Sequence, residues 1–161
     1  MGKKGRELVK VDMEDLLKEL NKAYAEEWIA VYYYKWAASA VCGVCSPVVA
    51  NELKRIAGEE EEHAQELADR IIELGAEPER DFEDLVKIAK CRKIVFPKDL
   101  SDLKGFLTAV MEQGEQCAIE GYNSLIKKMS PCYEKDLRTF HLIEHILSEE
   151  IKHEEAFDNL L

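Results

Sequence analysis

A Glu-x-x-His motif occurs twice in this chain, as Glu60-Glu61-Glu62-His63 and, ninety residues later, as Glu150-Ile151-Lys152-His153. A lone glutamate precedes each motif by roughly 33 to 35 residues, at Glu27 and at Glu115. Residues three apart on a helix share one face, so each motif presents a carboxylate and an imidazole side by side. A glutamate on one helix and Glu-x-x-His on the next, repeated in both halves, is the pattern with which a four-helix bundle holds two metal ions in its core.

The length and charge of the chain restrict its function. A chain of 161 residues suits one domain with a sizeable core. The net charge of −11 argues against non-specific nucleic-acid binding by the body of the protein and suits a protein that attracts cations. The exception is a basic segment, Gly2-Lys3-Lys4-Gly5-Arg6. We expect residues 1–11 to form a flexible tail, which is either solubilising or an arm that touches DNA, and residues 12–161 to form the domain.

The sequence carries neither a secretory signal pattern nor an apolar run of about 18 residues, so we expect neither secretion nor membrane insertion. The chain has five cysteines, and in the absence of a secretory signal this is typical of a reducing compartment. We therefore expect a cytoplasmic protein.

Apolar residues recur with helical periodicity and predict an all-α fold with four long helices. The first helix begins near Asp12 and ends around Cys42-Gly43. Ser46 then supplies an N-cap and Pro47 the first helical residue of the second helix, which Gly75 ends. Each half of the chain is therefore expected to form one antiparallel helical hairpin.

The two hairpins are joined by a long connection. Residues 77–100 form a connector with a short helix over residues 82–90, long enough to cross the length of a bundle. The third helix begins near Ser101 and ends at Ser130-Pro131, and the fourth begins at about Asp136. This order predicts a four-helix bundle with a long crossover between helices two and three.

The motif residues lie on the apolar faces of these helices and at matching levels. Glu27 lies 17 residues before the first turn near Val44, and Glu60 lies 16 after it. Glu115 and Glu150 lie 17 before and 18 after a second turn near residue 132, so each pair is level to within about 2 Å. A carboxylate that faces a core costs several kcal/mol unless it is paired or binds a metal, and four together repel one another without cations.

Four carboxylates and two imidazoles can hold two divalent ions. We predict that Glu60 and Glu150 bridge the ions and that Glu27 and Glu115 are terminal ligands, with one histidine for each ion. This donor set suits iron or manganese. The alternative is a buried polar cluster without metal. The predicted metal ligands are Glu27, Glu60, His63, Glu115, Glu150 and His153, whereas His141 and His145 lie off the apolar stripe and are predicted to be solvated.

The chain resembles the ferritin-like superfamily, and in particular the Dps-like proteins of archaea and some bacteria called thioferritins, which have a bacterioferritin-type di-iron site. The resemblance covers about residues 12–161. It rests on Glu115-Gln116-Cys117-Ala118-Ile119, on Glu149-Glu150-Ile151-Lys152-His153-Glu154, on the run Tyr32-Tyr33-Tyr34 and on Cys91 in the connector.

This resemblance implies a ferritin-like bundle assembled into a hollow dodecamer. It implies a ferroxidase that oxidises ferrous iron with hydrogen peroxide or oxygen, stores the ferric product and protects against oxidative stress. Two iron ions per chain are expected, which manganese or zinc can replace. Haem is not expected, because Glu61 stands where bacterioferritins have a haem-binding methionine. DNA is an expected partner only weakly, through the basic tail.

The pairing of the cysteines stays open. The family has a second cysteine about ten residues after the one in helix three, and residues 121–130 contain none. A continuous helix would place Cys132 about 20 Å from Cys117. At the first turn, Cys42-Gly43-Val44-Cys45 is compatible with free thiols, a disulfide or half of a metal site that Cys91 approaches.

No side-chain nucleophile is needed, because the metals would carry the chemistry. The candidate redox residues are Tyr34, Cys42, Cys45 and Cys117, although the aromatic group of Tyr24, Trp28, Tyr34 and Trp36 is expected mainly to pack.

Other functions share these motifs. A rubrerythrin-like peroxidase would need an electron donor, and the rubredoxin-like pair of C-x-x-C motifs is missing from this sequence. A non-enzymatic metal-buffering bundle would bind iron without oxidising it. A 24-subunit store would typically need a fifth helix.

Overall fold

The computed structural model describes residues 7, 9–91 and 93–161, without the side chains of residues 131–133. Most of the predicted basic tail and the side chain of Cys132 lie outside the described residues, so the expectations for them are not tested. Every regular element in the described part of the chain is helical, which confirms the all-α prediction.

The elements follow the predicted order of two hairpins and a crossover. In chain order they are α1 (Met13–Ala40), α2 (Ser46–Leu74), the short α3 (Phe82–Ile88), α4 (Leu103–Val110), a π-helical turn (Met111–Glu115), α5 (Gln116–Met129), a 3₁₀ turn (Ser130–Lys135) and α6 (Leu137–Asp158). The predicted third helix therefore consists of α4, the π-helical turn and α5 in succession.

Three helix ends lie where the sequence predicts them, and each has a capping residue. The Asp12 carboxylate accepts a hydrogen bond from the Asp15 backbone N–H and caps α1. Gly75, with φ of 92°, ends α2 in the left-handed region that favours glycine. Asp136 caps α6 by accepting a hydrogen bond from the Thr139 N–H.

Some predicted boundaries are wrong by a few residues. Helix α1 ends at Ala40, before the Cys42-Gly43 turn. Ser46 is not the N-cap of α2, because its hydroxyl donates to the Gly43 carbonyl oxygen and Cys45 occupies the cap position. The third helix begins at Leu103 rather than at Ser101, and Asp102 caps it, because its carboxylate accepts a hydrogen bond from the Gly105 N–H.

Among the described residues, buried apolar side chains form three clusters: a small one between α1 and α3, and two larger ones inside the bundle. One lies at the end of the bundle near the first turn and includes Tyr34, Leu53, Phe106 and Phe157. The other lies towards the opposite end and includes Leu20, Leu67, Ile71, Ile143 and Ile146. In α1, α2 and α6 the predicted ligands fall between the residues of these two clusters, so a polar layer separates two apolar ones.

The packing of the helices fixes which seams lie opposite one another. Helix α1 packs along α2 and α5 along α6, while α1 also meets α5 and α2 also meets α6. The α1–α5 seam and the α2–α6 seam are therefore on opposite sides of the bundle. The connector crosses on the α1 side, where α3 packs against α1.

Candidate metal centre

The structure brings the six predicted ligands into one buried layer. Glu27 comes from α1, Glu115 from the end of the π-helical turn, and one Glu-x-x-His pair from each of α2 and α6. None of the six side chains belongs to a residue more than 2% exposed. Their oxygen and nitrogen atoms form two groups, and within each group the atoms lie within 4.8 Å of one another.

The first group consists of Glu27, Glu60, His63 and Glu150. The Nδ1 atom of His63 lies 3.1 Å from Glu60 Oε2 and 3.2 Å from Glu150 Oε1. It also lies 3.9 Å from Glu27 Oε2. All of these oxygens are close enough to share one cation with the imidazole.

The second group consists of Glu60, Glu115, Glu150 and His153. His153 Nδ1 lies 3.2 Å from Glu60 Oε1, 3.6 Å from Glu115 Oε2 and 4.0 Å from Glu150 Oε2. The two groups share Glu60 and Glu150, which is the arrangement that bridging carboxylates require. The ligand roles themselves stay a prediction.

Three buried polar atoms of this layer have no hydrogen-bond partner: Glu115 Oε2, Glu150 Oε1 and His153 Nδ1. A buried polar atom left in this state costs about 1–3 kcal/mol. All three would be satisfied by cations, and a set of carboxylates and imidazoles fits divalent iron or manganese. The residues present therefore fit a pair of metal ions.

Each histidine of the layer is oriented by a glutamate from the other half of the chain. His63 Nε2 lies 2.9 Å from Glu149 Oε2, and His153 Nε2 lies 2.8 Å from Glu59 Oε2. Because an ionised carboxylate can only accept a hydrogen bond, the Nε2 atom of each histidine carries a proton, and its Nδ1 atom faces the centre. Glu59 and Glu149 were not predicted to be site residues, although the occurrence of a glutamate directly before both motif glutamates is a signal in the sequence.

Two tyrosines form a second symmetric pair. The Tyr34 hydroxyl donates to Glu115 Oε1 at 2.5 Å, and the Tyr122 hydroxyl donates to Glu27 Oε1. Each tyrosine follows a predicted terminal glutamate by seven residues and bonds the terminal glutamate of the other hairpin. Tyr122 was not predicted to be a site residue, and its spacing from Glu115 matches that of Tyr34 from Glu27.

The π-helical turn positions Glu115. Glu115 is the last residue of this turn and is fully buried in the layer beside Glu60, Glu150 and His153, and π-helical turns are frequent at functional sites. Gly114 lies in this turn against the Tyr34 ring, and a Cβ at Gly114 would collide with the Tyr34 hydroxyl oxygen. Glycine is needed at position 114 because the Tyr34 side chain, which donates to Glu115, lies close to the backbone there.

Burial keeps protons on several carboxyl groups when no metal is bound. Burial, together with the charge of Glu60, raises the pKa of Glu27 to about 8. Burial and the charge of Glu60 also raise the pKa of Glu150 well above its usual range. Burial raises the pKa of Glu115, against the opposing effect of its contact with His153.

Glu60 and the histidines behave in the opposite way. Burial opposes the ionisation of Glu60, but contacts with His153 and His63 lower its pKa below the usual range. Burial also opposes the charging of His153, but contacts with Glu115 and Glu60 raise its pKa to about 10. The metal-free centre is therefore a set of protonated and ionised groups that share protons.

A disulfide joins Cys91 of the connector to Cys117 of α5, with the Cα atoms 6.0 Å apart. The alternative in which Cys91 approaches a metal site at the first turn is therefore wrong, because Cys91 is bonded to Cys117 and the connector passes α1 at Glu26. The Glu26 carboxylate accepts hydrogen bonds from the backbone N–H groups of Lys90 and Cys91, at 2.7 and 3.3 Å. Cys117 thus pairs with a cysteine of the connector and not with one from residues 121–130, which contain none.

The remaining predicted residues lie outside the centre. Cys42 and Cys45 are free and exposed at the first turn. His141 and His145 are exposed, as predicted. Of the aromatic group, Tyr34 alone contacts the centre, whereas Trp36 packs on Phe96 and Phe106 and Trp28 on Tyr24.

Both the sequence and the structure of the chain are similar to those of ferritin-like proteins. Residues 17–161 match the family model of the ferritin-like domain. The chain is 32% identical to the DNA protection during starvation protein of Pyrococcus furiosus, over 94% of this chain and 79% of that protein. It is 29% identical to the bacterioferritin of Desulfovibrio desulfuricans, over 90% of this chain and 73% of that protein.

Among solved structures, a dodecameric thioferritin, the bacterioferritin-related protein of Bacteroides fragilis, is similar with a TM-score of 0.87 and 32% identity. The match covers 98% of this chain and 92% of that one. The Dps protein of Vibrio cholerae has a TM-score of 0.81 at 16% identity, over 92% of this chain and 89% of that one, which is a likeness of fold.

Within the described residues, we find no helix whose length and apolar character would allow it to span a bilayer.

Proposed function

The chain belongs to the ferritin-like domain family, and on that premise we propose that it oxidises ferrous iron at the buried centre and stores the ferric product. The similarity to a bacterioferritin and to a thioferritin supports iron as the metal. The proposed ligands are the six predicted residues, with Glu60 and Glu150 between the two ions. We further propose a dodecamer, the state of the similar thioferritin.

The reaction balances with two iron ions per oxidant. Two ferrous ions release two electrons, and one hydrogen peroxide takes up these electrons and two protons to give two waters. With dioxygen as oxidant, the same two electrons and two protons give one hydrogen peroxide. The metals supply the electron transfer.

The protein's own groups bind the cations and exchange protons with them. Cations replace the protons that Glu27 and the two imidazoles hold in the metal-free centre. Glu149 and Glu59 hold the imidazole rings with Nδ1 towards the centre. Because the six side chains are at most 2% exposed, iron bound by them would be oxidised away from bulk water.

This function also gives a route to DNA protection, the role in the name of the similar Pyrococcus protein. Removal of ferrous iron and peroxide removes the reagents that damage DNA. With a net charge of −11, the body of the protein does not need to contact DNA for this effect.

The observation that carries the proposal is the pair of overlapping groups that share Glu60 and Glu150. The test is to load the protein with ferrous iron without oxygen, add hydrogen peroxide, and measure ferric iron formed and peroxide consumed. We expect two irons oxidised for each peroxide. The variant His153→Ala should lose the rapid phase, and the exposed control His141→Ala should keep it.

Binding of two ferrous ions without rapid oxidation by either oxidant would contradict the proposal and favour a metal buffer. Rapid peroxide consumption that needs an added electron donor and leaves no stored iron would favour the peroxidase.

A further inference from the structure

The exposed face of α6 carries a second histidine motif, which the buried layer does not use. Its sequence is His141-Leu142-Ile143-Glu144-His145, so the two histidines are four residues apart. Both lie within α6, and their side chains are 66% and 51% exposed. Residues four apart on a helix lie one above the other on the same face, so the two imidazoles are neighbours at the surface.

This spacing is typical of metal-binding helices. Two histidines at positions i and i+4 on one helical face bind zinc, and the order His-x-x-Glu-His occurs in one class of zinc enzymes. Imidazole is also a good ligand for copper(II) and nickel(II), whereas magnesium and calcium prefer oxygen ligands. The pair is therefore suited to transition-metal ions and not to hard cations.

Each of the two imidazoles has a carboxylate beside it. Glu144 Oε2 lies 3.2 Å from His141 Nδ1, and Glu149 Oε2 lies 3.8 Å from His145 Nε2. When Glu144 accepts the Nδ1 proton of His141, the Nε2 atom of that ring stays free to bind a metal. The same Glu149 oxygen lies 2.9 Å from His63 Nε2, so Glu144 is the carboxylate that belongs to the surface pair alone.

The pair is separate from the buried layer. Among the residues that the structure describes, the groups of three or more converging ligand atoms include neither His141 nor His145. An ion held by the pair would therefore have two imidazole ligands, and water or Glu144 would complete its coordination. Glu144 can take part because exposed side chains change rotamer rapidly.

We propose that His141 and His145 form a surface site for one divalent transition-metal ion of the zinc and copper class, with Glu144 as its carboxylate. This site is additional to the buried centre and does not depend on the proposed oxidation of iron. Imidazole-preferring ions would then bind at the surface of α6, apart from the carboxylate-rich layer in the core.

Copper(II) is the probe, because electron paramagnetic resonance counts the nitrogen atoms bound to it. The metal-free protein is titrated with copper(II), and we expect the spectrum of an isolated ion with two nitrogen ligands. His141→Ala should weaken binding at this site about 100-fold and leave one nitrogen, because two linked ligands become one. His145→Ala should have the same effect.

Two controls separate this site from other copper ions. His153→Ala removes an imidazole of the buried layer and should keep the two-nitrogen spectrum. The double variant His141→Ala with Glu144→His keeps the number of histidines but makes them adjacent, and adjacent residues do not face each other on a helix. It should bind copper as weakly as His141→Ala alone.

A two-nitrogen spectrum that persists in His141→Ala, in His145→Ala or in the double variant would overturn the proposal. Its loss from His153→Ala would assign it to the buried layer and would also overturn the proposal, as would its absence from the parent. An excess of magnesium should leave the spectrum unchanged, and displacement of copper by magnesium would contradict a site built from imidazoles.

Discussion

Individual side chains at the centre are arranged in symmetric pairs across the two halves of the chain. His63 bonds Glu149 and His153 bonds Glu59, while Tyr34 and Tyr122 bond the terminal glutamates of the opposite hairpins. Sequence periodicity located the six residues of the inner layer because they lie on apolar stripes. It did not locate their outer partners, because a glutamate at the edge of a stripe resembles any solvated glutamate.

The outer glutamates give a first prediction. Replacing Glu149 by Ala removes the group that holds the His63 ring, so metal affinity should fall about 10- to 100-fold while two ions still bind at saturation. Isothermal titration with cobalt(II) measures this. Glu62→Ala removes an exposed charge from the neighbouring helix and is the control. An equal loss of affinity in both variants would show that general charge, not ring orientation, is responsible.

Proton exchange gives a second prediction. Glu27 has a pKa raised to about 8 and His153 one raised to about 10, so both carry protons at pH 7 in the metal-free protein. Metal ligands must be deprotonated, so metal binding should release protons. The affinity for cobalt(II) should therefore increase as the pH rises from 6 to 8. Cobalt titrations in buffers of different ionisation enthalpy count the protons. Affinity independent of pH between 6 and 8 would disagree with this picture.

At the scale of elements, the helices were predictable and the irregular segments were not. Capping residues and periodicity fixed α1, α2 and α6 to within a few residues. The π-helical turn has no periodic pattern of its own, because one extra residue per turn merely shifts the stripe. The path of the connector was also not predictable, since its contacts with Glu26 and Cys117 are tertiary.

The π-helical turn yields a third prediction. Gly→Ala in a helix normally stabilises by about 1 kcal/mol. Gly58→Ala in α2 should do so, because a Cβ there meets nothing within 4 Å. Gly114→Ala should instead destabilise by about 1–3 kcal/mol, because the new Cβ collides with the Tyr34 hydroxyl. Urea unfolding of the metal-free variants compares them. Stabilisation by both would mean that Tyr34 moves aside freely.

On the scale of the whole molecule, one polar layer lies between two apolar clusters in a bundle of the ferritin-like family. The fold class followed from sequence because helix count, connector length and ligand level all agreed. Assembly did not follow from it, because single-chain periodicity says which faces are apolar and not which of them meet another subunit.

Assembly is the fourth prediction. The similar thioferritin is dodecameric, and iron storage needs an enclosed space, so we expect a particle of twelve chain masses. Multi-angle light scattering measures this mass directly, with and without iron. A stable monomer or dimer under both conditions would argue against storage.

The central claim is that two cations share Glu60 and Glu150. Anomalous diffraction from crystals soaked anaerobically with ferrous iron tests it most directly. We predict two iron peaks per chain, about 3.5–4 Å apart as in two-metal sites, with both bridging glutamates between them. Glu150→Ala should lose both peaks, and Glu115→Ala should lose mainly the one beside His153. A single peak, or no iron within the layer of Glu60 and Glu150, would contradict the account.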